Sequence, residues 1–151
     1  MTWIHQKLAA CGDRIACYEA GKAWSYAEFI ELIDHAVTQV PSKGGAVIEV
    51  QAPTTIEGLA MLLAIGETGH IALPLPPELP EAEQDKMRLI ANSSQLYNQL
   101  EGSGLVLFSS GTSGEPKGML HNLDALLCRY KNLSARKDRS LLLLLIDHIG
   151  G

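Results

Sequence analysis

AVIEV (46–50), HIALPLPP (70–77), GLVLF (104–108) and LLLLLI (141–146) constrain this chain more than any other feature, because each carries apolar side chains on nearly consecutive positions. Successive side chains of a strand point to opposite faces, so a continuous apolar run is buried on both. Helical patterns separate these runs. Such alternation predicts an α/β fold: a mostly parallel sheet with helices on both faces. RIACY (14–18) is a further short strand.

The helices announce their own ends. A first helix is expected over residues 2–10, stopping at Gly12. Ser25 and Glu28 have capping-box spacing, and Trp24 can staple onto Phe29. Phe29, Ile30, Ile33, Val37 and Val40 then recur on one helical face, which Pro41 ends. Thr54 and Glu57 suggest a second capping box, followed by a helix apolar nearly all round and therefore sandwiched. Pro80 is expected at the first helical position of PEAEQDKMRLIANSS, with acids early and bases late. Asn122 is expected to cap a helix bearing Leu123, Leu126, Leu127, Tyr130 and Leu133.

Bulk properties exclude several classes of function. With 151 residues the chain fits one domain, residues 1–151. Its formal charge of −5 argues against nucleic acid and acidic membranes, since phosphate surfaces attract positive fields. The six-residue run 141–146 falls far short of the roughly 20 residues that span a bilayer. No basic start followed by an apolar core marks a secretion signal. Cys11, Cys17 and Cys128 are odd in number and lack CxxC spacing, so reduced, buried thiols and a cytoplasmic location are expected. His5, His35 and His70 lack ligand spacing, and no metal site is expected. The basic group Arg129, Lys131, Arg136, Lys137 and Arg139 reads as a solvated helix end, with a ligand or partner contact as the alternative.

SSGTSGEPKGMLH (109–121) directly follows GLVLF and holds three glycines, four hydroxyl side chains and one lysine. Such a stretch is expected to be neither a core helix nor a regular strand. A glycine- and hydroxyl-rich turn after a buried strand presents backbone N–H groups in a concave nest that suits phosphate. Ser109, Ser110, Thr112 and Ser113 add hydroxyl donors. Gly111 and Gly114 let the backbone approach a ligand. Lys117 adds the positive charge, and His121 packs near the loop in this reading. A P-loop, G-x-x-x-x-G-K-[ST], fits poorly: Pro116 replaces its second glycine and Gly118 its metal-binding hydroxyl.

Ser109 through Gly118 closely resemble the signature loop of the adenylate-forming superfamily. That superfamily comprises acyl- and aryl-CoA ligases, adenylation domains of peptide synthetases, and luciferases. Its signature runs hydroxyl, small, Gly, Ser/Thr, Ser/Thr, Gly, any residue, Pro, Lys, Gly. DHIGG, ending the leucine run, resembles the next motif of the family, although Asp147 is unusual at its position. The resemblance implies an N-terminal subdomain of an adenylate-forming enzyme that uses ATP and Mg2+. Ser109, Ser110, Gly111, Thr112, Ser113, Gly114 and Lys117 would hold the β- and γ-phosphates, with Lys117 also catalytic. His148, Gly150 and Gly151 would line the acyl-substrate pocket. The implied partners are ATP and pyrophosphate, a carboxylic acid, and coenzyme A or a carrier-protein pantetheine.

Family members run several times longer, and their adenine, ribose, metal and catalytic-lysine motifs come later in the chain. The sequence therefore reads as the N-terminal part of a ligase, inactive alone and prone to self-association through its uncovered apolar surface. The rival reading is a non-catalytic module that binds a phosphate-bearing ligand or a partner protein.

Overall fold

A computed structural model describes residues 2–51, 54–93, 102–110 and 116–132. Their elements follow in the order α1 (Thr2–Ala9), β1 (Ile15–Glu19), β2 (Lys22–Ser25), α2 (Tyr26–Gln39), β3 (Val47–Gln51), α3 (Ile56–Glu67), β4 (Ile71–Leu75), α4 (Glu81–Ala91), β5 (Gly104–Ser110), β6 (Pro116–Asn122) and α5 (Leu123–Cys128). The run 141–146, Leu133, and the expected site residues Gly111, Thr112, Ser113, Gly114, His148, Gly150 and Gly151 lie outside the described residues.

The main sheet has the order β3-β4-β5-β6. β3 pairs with β4, and β4 with β5, in parallel, whereas β5 and β6 are antiparallel. The expected mostly parallel sheet is therefore present, and helices cover both faces. On one face Ala36 of α2, Val40 just after it, and Leu62, Ala64 and Ile65 of α3 pack with Val50 and Ala72. On the other, Met87 and Ala91 of α4 pack with Ile71, Leu73, Leu75, Val106 and Phe108. Ile71, Leu73 and Leu75 alternate with Ala72 along β4, so one strand feeds both clusters. That is the physical content of its continuous apolar run.

Local signals set the helix boundaries. The Ser25 hydroxyl accepts from the Glu28 N–H at 3.1 Å, and the Ser25 N–H donates to the Glu28 carboxylate at 2.7 Å. α2 stops where Val40 turns extended, as the residue before a proline should. α3 begins one residue later than its sequence suggests. Thr55, not Thr54, is the cap and accepts from the Gly58 N–H at 3.0 Å, while Glu19 of β1 accepts from the Ile56 N–H at 3.0 Å. Glu57 therefore falls one position short of a capping box, and a carboxylate from another element satisfies the exposed amide instead. Pro80 is likewise the cap of α4 rather than its first helical residue.

β1 and β2 form a hairpin that the sequence reading lacks, since it takes Trp24 only as a helix staple. Its turn is Ala20–Gly21, with φ of 47° and 80°. Two positive φ angles between paired strands match the twist of a two-residue hairpin. Lys22 lies 3.2 Å over the Trp24 ring.

His70 is fully buried at the head of β4. Its Nδ1 accepts from the Ala46 N–H at 3.1 Å and its Nε2 lies 2.8 Å from the Pro41 carbonyl. With Nδ1 accepting, Nε2 is the nitrogen left to donate to the Pro41 carbonyl. The side chain thus ties the 41–46 segment to the sheet, a structural task that its isolation in the sequence hides.

Candidate functional site

The glycine- and hydroxyl-rich stretch is a hairpin connection, and here the sequence expectation needs correction. Both its ends are regular strand: Ser110 pairs with Pro116, Ser109 with Lys117 and Phe108 with Gly118. Composition argues against a strand because Pro116 has no N–H to donate. Among the described residues β6 is the last strand of the sheet, and Pro116 is its first residue, where the missing donor costs least.

Pairing across the hairpin assigns the faces. Val106, Phe108, Gly118 and Leu120 lie toward α4, with Ile90 of α4 against Gly118. Ser109 and Lys117 therefore share the opposite face. Ser109 is half-buried and Lys117 exposed. Lys117 forms no ion pair with any described residue, so its charge is uncompensated there. The pair stands at the carboxyl end of β5, the end at which open α/β sheets receive ligands.

Nearby, the β4–β5 ladder runs only through Ile71↔Gly104 and Ala72↔Leu105. It stops short of Pro74, which cannot donate to it. A cation and a hydroxyl across one rung form a donor set that fits an anion such as a nucleotide phosphate.

His121 does not join this group. It pairs with Leu105, four positions along β6 from Lys117, or about 13 Å at strand rise. Its Nε2 is shielded and unpaired among the described residues. Closeness in sequence misleads because the segment is extended. Asn122 does cap α5, accepting from the Ala125 N–H at 2.8 Å.

The cysteines are free, but they are not the buried hydrophobes expected. Cys11 and Cys17 are half-buried, and Cys128, last in the short α5, is exposed. Burial, then Glu19 and Glu57, push the Cys17 thiol up, which favours its inert, protonated form. Among the described residues no group of three or more His, Cys, Asp or Glu side chains converges as a metal site. None of the described helices is long and apolar enough to cross a membrane.

No family model matches the chain. It is 26% identical over 140 residues to the dapdiamide synthesis protein DdaD of Enterobacter agglomerans, covering 77% of this chain and 24% of that protein. It is 23% identical over 137 residues to a probable non-canonical nonribosomal peptide synthetase, CymA, of Salinispora arenicola, covering 78% of this chain and 2% of that protein. Among solved structures it is similar to the N-terminal subdomain of Klebsiella oxytoca NpsA in complex with 3-hydroxyanthranilyl-AMSN, with TM-score 0.63, 18% identity, and 79% of this chain and 39% of that chain covered. It is also similar to o-succinylbenzoate CoA synthetase (MenE) of Bacillus subtilis in complex with the acyl-adenylate intermediate OSB-AMP, with TM-score 0.68, 17% identity, and 99% of this chain and 50% of that chain covered. The chain thus spans half or less of each of these proteins. Its fold is that of part of the NpsA N-terminal subdomain and of half of MenE, an α/β arrangement in keeping with the expected one.

Proposed function

We propose that this chain is the ATP-phosphate-binding portion of an AMP-forming acyl or aryl acid ligase. The observation that carries the reading is the Ser109–Lys117 rung, a hydroxyl opposite a cation that has no ion pair among the described residues, at the carboxyl end of a parallel strand. Lys117 contributes charge to the β- and γ-phosphates, and Ser109 a rotatable donor. Ser110, Gly111, Thr112, Ser113 and Gly114 complete the cradle by their match to the superfamily signature. When bound, ATP with Mg2+ would supply an activated α-phosphorus, at which a carboxylate becomes an acyl-adenylate with release of pyrophosphate; the acyl group then passes to a thiol and AMP leaves. The protein's share is positioning and charge stabilisation.

His148, Gly150 and Gly151 belong to the acid pocket in this proposal, and coenzyme A or a carrier-protein pantetheine is the acceptor. A related MenE structure described as a complex with ATP and a magnesium ion supports the nucleotide reading.

Titration of the labelled chain with pyrophosphate, followed by NMR, tests the assignment. Weak binding is expected, near the millimolar regime of about −4 kcal/mol. The largest shifts should fall within residues 108–121. Lys117→Ala removes a charge-assisted contact and should weaken binding by about 1.5–3 kcal/mol, with little change in thermal stability. Shifts centred elsewhere, or binding indifferent to Lys117→Ala, would remove the phosphate role.

A further inference from the structure

We propose that Gly118 is a positioning residue for the phosphate site: its missing side chain lets β6 rest directly on Ile90 and Phe108, and that contact sets where Lys117 and Ser109 stand. The inference rests on the phosphate reading of Lys117. A Cβ at position 118 would lie 2.8 Å from Cγ2 of Ile90, and 3.2 and 3.5 Å from Cε1 and Cζ of Phe108. The first separation is below any real Cβ contact. Gly118 is not among the glycines with positive φ, so the backbone itself does not demand glycine. The demand is for space.

Three features send any added bulk into the hairpin. Ile90 is β-branched, so its Cγ2 moves only with a rotamer change or a shift of α4. Phe108 is buried in the core cluster beneath α4. α4 is also held to β3, because the Arg88 guanidinium donates to both Glu49 carboxylate oxygens at 2.8 and 3.2 Å. β6, by contrast, has a paired neighbour on one side only among the described residues. An added methyl group therefore lifts β6 rather than α4. Lys117 is next to Gly118, and Ser109 next to Phe108, so the lift displaces the rung that faces the anion. The signature's final glycine is thus a floor under the lysine.

The test uses pyrophosphate titration and thermal unfolding of the 151-residue chain and of Gly118→Ala, Ile90→Ala, the double variant and Lys117→Ala. Gly118→Ala should weaken pyrophosphate binding about tenfold, whereas in the Ile90→Ala background the same change should cost no more than about twofold. Lys117→Ala without effect would defeat the phosphate reading. Weakened binding in Lys117→Ala beside unaltered binding in Gly118→Ala would defeat only the positioning role. An equal loss from Gly118→Ala in both backgrounds, or unfolding of Gly118→Ala that Ile90→Ala does not repair, would also overturn it, because the obstruction is Ile90.

Discussion

The β3–β4 half of the sheet and the β5–β6 hairpin are adjacent, yet they are held in place differently. All five residues of β4 are buried, and it supplies both core clusters. No described side chain of β6 is buried, and Lys117 is exposed. The parallel half is located by many apolar contacts that depend on one another. The hairpin's carboxyl end is located by its ladder to β5 and by one glycine against Ile90 and Phe108. Among the described residues β6 has no neighbour beyond β5 and gives the core only the half-buried Leu120, so it can present a charge to a ligand while less fixes its position. Stability and proposed chemistry therefore respond to different substitutions.

The strongest contrast should come from Ile65→Ala. Ile65 is fully buried between α2 and the sheet, and its truncation should cost about 2–5 kcal/mol of stability. For a domain of this size that is a fall in Tm of very roughly 4–20 °C. The fraction that stays folded should bind pyrophosphate as the parent does. Lost affinity in that fraction would mean that the two halves are coupled more tightly than their packing implies. Lys117→Ala is the converse experiment, with affinity lost and Tm kept.

A smaller effect is expected outside both halves. Ala20 holds φ at 47°, a conformation that Asn tolerates better, and Asn-Gly is a favoured pair for a two-residue hairpin. Ala20→Asn should raise stability by about 0.5–1 kcal/mol without altering pyrophosphate binding. A lower Tm would show that the turn does not carry the strain its φ implies.

The smallest effect is a pH dependence confined to α2. The Ser25 N–H, then the Ser25 hydroxyl and Lys22, hold the Glu28 carboxyl below its ordinary value of 4.5. A lowered folded-state pKa means that the unfolded chain takes up the proton first. The contribution is thus complete above the ordinary value and lost as pH falls through the folded one. Glu28→Gln should flatten that part of the acid unfolding curve, measured by circular dichroism. An unchanged acid limb would show that the capping box contributes nothing measurable.

Much of the parallel half is legible in the sequence because its signals are local or periodic. Ser25 and Glu28 sit three positions apart on one helix turn, and β4 is apolar at each position because both its faces are covered. Thr54 misleads because the true cap, Thr55, is aided by Glu19 from β1, an atom that no local window contains. β6 escapes a sequence reading because its residues have poor strand propensity, and pairing with β5 overrides it. His121 belongs beside the loop only while distance along the chain stands in for distance in space.

Residue order by itself determined the α/β class and the two-sided burial of the central strands. These follow from side-chain chemistry and from periods of a few residues, which a linear text preserves. Tertiary structure alone decided that the turn joins antiparallel strands, that Ser109 faces Lys117 while His121 stands at the far end, and that the glycine after the lysine is needed for space. Each depends on which atoms of another element lie within a few ångströms, and only the folded chain brings Ile90 of α4 beneath Gly118.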